Sequence, residues 1–165
     1  MVRRGHEVTV VTGYPNYPLG RIYDGYQISW RRQETMNGVN IIRVPLYPSQ
    51  SMSIWRRGLS YASFAFMAAV YAHIHSIRPD IVWAYTPPPT TALPAFSVRA
   101  RVGCPVVVEV QDLWPETLEA TGVVASPQRL ERVRRATDSM LRRADSVVVI
   151  SSGFRDVLVR RGVPS

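Results

Sequence analysis

The sequence predicts an α/β protein with a doubly wound, mostly parallel sheet and an inserted hairpin, and three observations lead there. Runs 8–12, 81–85, 106–110 and 147–150 are short, β-rich and apolar on both faces, as parallel strands buried under helices are. Helical stretches alternate with them, the order that builds a parallel sheet. Between residues 26 and 45, an alternating pattern turns at Asn37-Gly38, a strong two-residue hairpin signal.

Taken in order, Met-Val-Arg-Arg-Gly at the start reads as the end of a helix, with basic residues in a last turn and a glycine just past it. Residues 159–163, Val-Arg-Arg-Gly-Val, close a later helix in the same way. The expectation is that a strand and most of a helix precede Met1. That strand would be the central one of the sheet, so residues 1–165 would be one domain cut at both ends. An apolar leader segment is not seen.

Residues 58–77 carry no formal charge and are bracketed by Arg56-Arg57 and Arg78. Twenty residues are long enough to span a bilayer. However, Ser60, Ser63, His73, His75 and Ser76 dilute the stretch, leaving an apolar centre at 61–72, the length of a core or interfacial helix. Two compatible readings follow. The helix is buried against the sheet, or it keeps a second face in the headgroup region of a membrane, led by Trp55, Arg56 and Arg57. Further on, Ser126-Pro127 supplies an N-cap and first-turn proline for a helix whose inward face is Leu130, Val133, Thr137, Leu141 and Ala144. Arg134–Asp138 and Asp138–Arg142 read as pairs on its outer side, each contributing about 0.2–0.5 kcal/mol. Residues 152–161 form a last helix with Phe154, Val157 and Leu158 inward.

Composition narrows the function. With 46% hydrophobic and 19% charged residues in 165, the chain buries a real core, and global disorder is excluded. The formal charge is +8, and all 20 basic residues are Arg. Without lysine there is no Schiff base and no phosphate-loop amine. The single cysteine, Cys104, excludes an internal disulfide and a multi-cysteine zinc site, makes the cytosol the default compartment, and suits a small buried packing role. His6, His73 and His75 show no metal-ligand spacing, so neither metal nor cofactor is expected. The positive surplus suits an anionic membrane surface. Scattered arginine doublets without a helix-turn-helix, zinc-finger or aromatic-basic sheet motif argue against nucleic acid as a partner.

Ligands of open α/β sheets lie beyond the carboxyl ends of the strands. Three loops qualify. The first, 12–18, offers Thr12, Gly13, Tyr14 and Asn16; the second, 86–91, offers Pro88 and Thr90; both are shaped by proline. In the third, 111–116, Asp112 and Glu116 bracket Trp114. Such carboxylates accept sugar hydroxyls or take a proton, and an indole face suits a sugar ring. The same two carboxylates also fit a helix cap and a helix-dipole partner for a helix starting near Trp114-Pro115.

Segments 4–11, 12–26, 43–49, 60–66, 79–91 and 107–116 together resemble the N-terminal domain of a family 4 glycosyltransferase. Among them are Thr-Gly-Tyr-Pro-Asn-Tyr-Pro, Arg-Val-Pro-Leu-Tyr-Pro-Ser and Asp-Leu-Trp-Pro-Glu. The resemblance is strongest to the bacterial subgroup that builds lipid-linked surface polysaccharide, such as N-acetyl-fucosamine transferases. It implies one half of a GT-B fold, in which two Rossmann-like domains hold the acceptor (N-terminal) and the nucleotide-sugar (C-terminal). It further implies metal-independent, retaining transfer to a polyprenyl-diphosphate-linked acceptor at the cytoplasmic face of the membrane. Asp112 and Glu116 would then be the acceptor-side catalytic groups, with Thr12, Gly13, Tyr14, Asn16, Pro88, Thr90 and Trp114 lining the substrate. The family's glycine-rich loop and its donor domain have no counterpart in this chain. Gln111 stands where many members have His, so no His-mediated role carries over. A non-catalytic, membrane-docked acceptor subunit of a split transferase, and an inactive gene fragment, remain as alternatives.

Overall fold

The computed structural model describes residues 1–49, 53–86, 88–120, 122 and 126–164. They form two units, Met1–His75 and Ser76–Ser165.

In the first unit, Val2–Arg4 is a single 3-10 turn closed by Gly5 in the left-handed region at φ 84, so the basic-basic-glycine signature does end a helical turn. Strand β1 covers Val8–Gly13, and the hairpin strands are β2, Arg32–Met36, and β3, Val39–Val44. Asn37 and Gly38, at φ 51 and 78, supply the two left-handed residues that a tight turn of matching twist requires. Strand β3 runs parallel to β1, from Val8 opposite Val39 to Gly13 opposite Val44, and antiparallel to β2. Helix α1, Ile54–Ile74, packs on β1 and β3.

In the second unit, β4 (Val82–Thr86), β5 (Val106–Val110) and β6 (Ser146–Val149) form an all-parallel sheet in that order. Helices α2 (Ala92–Val102), α3 (Glu116–Ala120), α4 (Pro127–Leu141) and α5 (Ser152–Arg160) connect and follow the strands. The core joins Ala84, Val106, Val108 and Val110 of the sheet to Ala92, Ala95, Leu141, Leu158 and Val163. At about 25 cal/mol per Å2, each buried valine or leucine contributes roughly 1.5–3 kcal/mol. Cys104 is buried, as a packing residue should be. The α4 N-cap falls on Ser126, with Thr137 and Leu141 buried as the helical spacing requires.

Among the described residues the strands group into two sheets of three, with β1 and β4 at their edges. Three expectations need correction. The strands read as apolar and buried on both faces are not: Val10, Trp83 and Tyr85 are exposed, and in β4 less exposed and more exposed residues alternate, so one face is covered and the other open. Val82 N–H bonds the Pro105 carbonyl at 3.0 Å, on the β5 side of β4. By alternation, the backbone of residues 81, 83 and 85 then faces away from β5.

The second correction concerns α1, which is not apolar-buried all round. Ser60, Ala65, Ala68, Tyr71 and Ala72 are buried, whereas Trp55 is 82% exposed and Phe66 65%. Among the described residues, no helix is long and apolar enough to cross a membrane.

The third concerns Asp138, placed by its spacing on the outer side of α4. It is 2% exposed, and its charge partners are Arg134 and Arg161 rather than Arg142. The physical reason is α5, whose end brings Arg161 over the Asp138 face. Arg142 instead donates to the Arg161 carbonyl at 3.4 Å.

Candidate functional site

The loop leaving β5 is built by competing demands on its polar groups. Glu109, in the strand, accepts the Trp83 indole N–H at 2.7 Å and the Gln111 amide. It is a paired structural carboxylate. Beyond it the chain turns at Asp112, passes a cis Trp114–Pro115 peptide bond and enters α3 at Glu116. The backbone closes this turn itself, with Thr117 N–H on the Leu113 carbonyl and Leu118 N–H on the Pro115 carbonyl, both at 2.8 Å. Asp112 is therefore not spent as a cap. It has no hydrogen-bond or ion-pair partner among the described residues, although it is half-buried.

A small pocket of about 10 Å3, room for about one water, opens to solvent at the carboxyl ends of β4 and β5. Its polar lining comes from Thr86, Asp112, Trp114 and Arg161, and Pro89, Met140 and Leu158 supply apolar walls. Three groups in or beside it stand out. The Trp114 indole N–H, the Thr90 hydroxyl and the Arg161 Nε–H are buried without a hydrogen-bond partner. A buried donor left unmade costs about 1–3 kcal/mol, so such groups mark places where a ligand or water completes the structure.

Glu116, read either as an acceptor-side group or as a helix-dipole partner, stands in an ion pair with Arg161. Its two oxygens lie 3.4 and 3.2 Å from Arg161 Nη1. Arg161 Nη2 also donates to the Trp114 carbonyl at 2.9 Å and to Asp138. Asp138 in turn takes Arg134 at 3.2 Å, and Arg134 holds Glu131 at 2.7 Å. The Arg134 hydrogen bond, seconded by Arg135, brings the Glu131 carboxyl down from 4.5 to about 2. Arg161 is the residue that sequence reasoning missed. Its guanidinium is 9% exposed and joins positions far apart in the chain, which no local pattern reports.

The remaining predicted residues fall as follows. Pro88 precedes the Pro89–Thr91 turn that leads into α2 and is half-buried beside Thr90. Thr12, Gly13, Tyr14 and Asn16 belong to the first unit. Thr12 and Gly13 end β1, with Arg43 Nη1 on the Gly13 carbonyl at 3.3 Å. Tyr14 is 1% exposed, its hydroxyl 2.9 Å from Ser29 Oγ and its ring edge-on to Tyr26; it is part of the core. Asn16 Nδ2 ties back to the Tyr14 carbonyl at 2.9 Å. Trp55 and Arg56 are exposed on the first turns of α1, and Arg57 is half-buried. Among the described residues, no group of three or more His, Cys, Asp or Glu side chains is placed to hold a metal ion.

WcaI of Escherichia coli (strain K12), assigned as a glycosyl transferase of colanic acid biosynthesis, is 26% identical over 169 aligned residues, covering 99% of this chain and 41% of that protein. The chain thus spans about two fifths of the length of this curated relative. The profile of one family, described as a glycosyl transferase 4-like domain, matches residues 1–165, and the chain belongs to that family.

Proposed function

We propose that this chain is the acceptor-binding half of a glycosyltransferase of surface-polysaccharide biosynthesis. The reaction moves a sugar from a nucleotide-sugar to a polyprenyl-diphosphate-linked acceptor, with retention of configuration and without a metal. The observation that carries the reading is the cleft at the ends of β4 and β5, where an unpartnered carboxylate, Asp112, stands beside an indole with a buried, unspent N–H. Asp112 accepts the hydrogen of the attacking sugar hydroxyl, and Trp114 lies along the sugar ring. Thr90 offers a further hydroxyl partner. Glu116 acts through Arg161 rather than on the substrate. The relative's assignment to colanic acid biosynthesis supports the class of product.

Turnover on the protein as translated in its host, with labelled nucleotide-sugar and a lipid-linked acceptor, tests this. Asp112→Asn is expected to lower kcat by about a hundredfold. Unchanged turnover removes Asp112 from the reaction.

A second observation favours peripheral attachment to the cytoplasmic face of an anionic membrane. Along α1, Trp55, Leu59, Ala62, Phe66 and His73 are all exposed and recur at helical spacing, so they share one face, with Arg56 beside it. Co-sedimentation with vesicles containing phosphatidylglycerol at low salt is expected for the wild type. Leu59→Glu and Phe66→Glu should lose it with an unchanged circular dichroism spectrum, and equal binding by these variants sinks this reading.

A further inference from the structure

We infer that Arg161 is a positioning residue for the cleft: anchored by buried Asp138, its guanidinium fixes the 112–116 loop and so sets where Asp112 and Trp114 meet the acceptor. This rests on the acceptor-site reading above.

The geometry is that of a clamp. Arg161 follows the last turn of α5, and its side chain is 9% exposed. One terminal nitrogen, Nη2, reaches both Asp138 of α4 and the Trp114 carbonyl, 47 residues away in sequence. The other, Nη1, reaches Glu116, 45 residues away. Three segments therefore meet on one planar fork. A lysine keeps the charge but has one ammonium on a flexible stem, and it cannot hold three partners in these directions.

The charge balance argues for positioning rather than for capture of an anion. Asp138 and Glu116 already face the guanidinium, and Arg134 shares Asp138. What the pair fixes is the backbone at Trp114, two residues after Asp112. Displacing a group that must meet a substrate by about 1 Å costs on the order of a hundredfold. Sequence distance explains why local pattern does not reveal the clamp.

The test uses the protein as translated in its host with farnesyl-diphosphate-linked N-acetylglucosamine as probe, and reads the Trp114 indole N–H resonance beside the affinity. Arg161→Lys is expected to move the Trp114 resonance and to weaken binding by about tenfold or more. Asp112→Asn should weaken binding and move that resonance less than Arg161→Lys does. Should Arg161→Lys fail to fold, Glu116→Gln serves instead: that side chain is 46% exposed, and its loss removes one arm of the clamp while the core stays intact. Its expected result is a smaller move of the same resonance with a loss of a few-fold in affinity. A Trp114 resonance unmoved in both variants, with wild-type affinity, overturns the positioning role while the acceptor-site reading stands. If the wild type does not bind the probe, that reading fails, and the resonance alone still decides whether Arg161 holds the loop.

Discussion

Replacing Asp138 by Asn removes one charge from the most buried ion pair described in the chain. Asp138 is 2% exposed, with Arg161 on one oxygen and Arg134 on the other at 3.2 Å. Breaking a buried pair from one side costs about 3–5 kcal/mol, because the remaining charge stays desolvated without its partner. Glu116 still faces Arg161 at 3.2 Å, but at 46% exposure its attraction is screened and recovers only part of the loss. The lower end, about 3 kcal/mol, is therefore expected. For a unit the size of Ser76–Ser165, each kcal/mol shifts Tm by about 4–8 °C, so the midpoint should fall by about 12 °C or more. The assay is thermal unfolding followed by circular dichroism at pH 7. Asp138→Asn combined with Arg161→Met should lose less than the sum of the single losses, since no buried charge is then stranded. A midpoint within about 2 °C of wild type, or losses that simply add, would refute the reasoning.

Other perturbations are equally direct. A Cβ on Gly13 would stand 2.1 Å from Leu46 Cδ2 and 3.7 Å from Phe64, so Gly13→Ala forces Leu46 aside. A loss of about 1–3 kcal/mol by urea unfolding is expected, and a neutral result would show that Leu46 has free space. Glu131 should titrate near pH 2 in carboxyl NMR, from its bonds to Arg134 and Arg135. Its folded-state value is depressed, so its contribution to stability is present above pH 4.5 and is lost as pH falls toward 2; a midpoint near 4.5 contradicts those bonds. Glu109→Leu strands the Trp83 indole, whose bond to Glu109 is 2.7 Å, and should shift the Trp83 N–H resonance while leaving Trp114 in place.

Local chemistry was legible from sequence where one residue type dictates the backbone. Asn37-Gly38 demands left-handed geometry, and Ser126-Pro127 marks a helix start. The basic-basic-glycine ends hold at both Gly5 and Gly162, each with positive φ. Helix α2 escaped that logic: it too ends in a left-handed glycine, Gly103, but its uneven apolar pattern and Pro94 hide it. Burial was less legible. A strand such as Ile-Val-Trp-Ala-Tyr reads as buried on both sides, yet Ile81, Trp83 and Tyr85 are exposed while Ala84 and Thr86 are buried, and composition does not encode which face of the sheet is covered.

The site shows the same divide. Asp112 and Trp114 were singled out because they stand where a strand ends, and both line the pocket at the ends of β4 and β5. Glu116 looked equivalent to Asp112 until Arg161, 45 residues on, claimed it. Asp138 paired correctly with Arg134 one turn away, but its stronger partner comes from a different helix. Long-range ion pairs decide which carboxylates remain free for a substrate, and helical spacing reports only the local ones.

Nuclear Overhauser contacts from the sugar ring of the farnesyl-diphosphate-linked probe test the account most directly. Cross-peaks to the Trp114 indole ring, with none to the ring of Trp55 on α1, are predicted. Sugar cross-peaks confined to residues outside the β4–β5 cleft, with Trp114 silent at saturating probe, would contradict it.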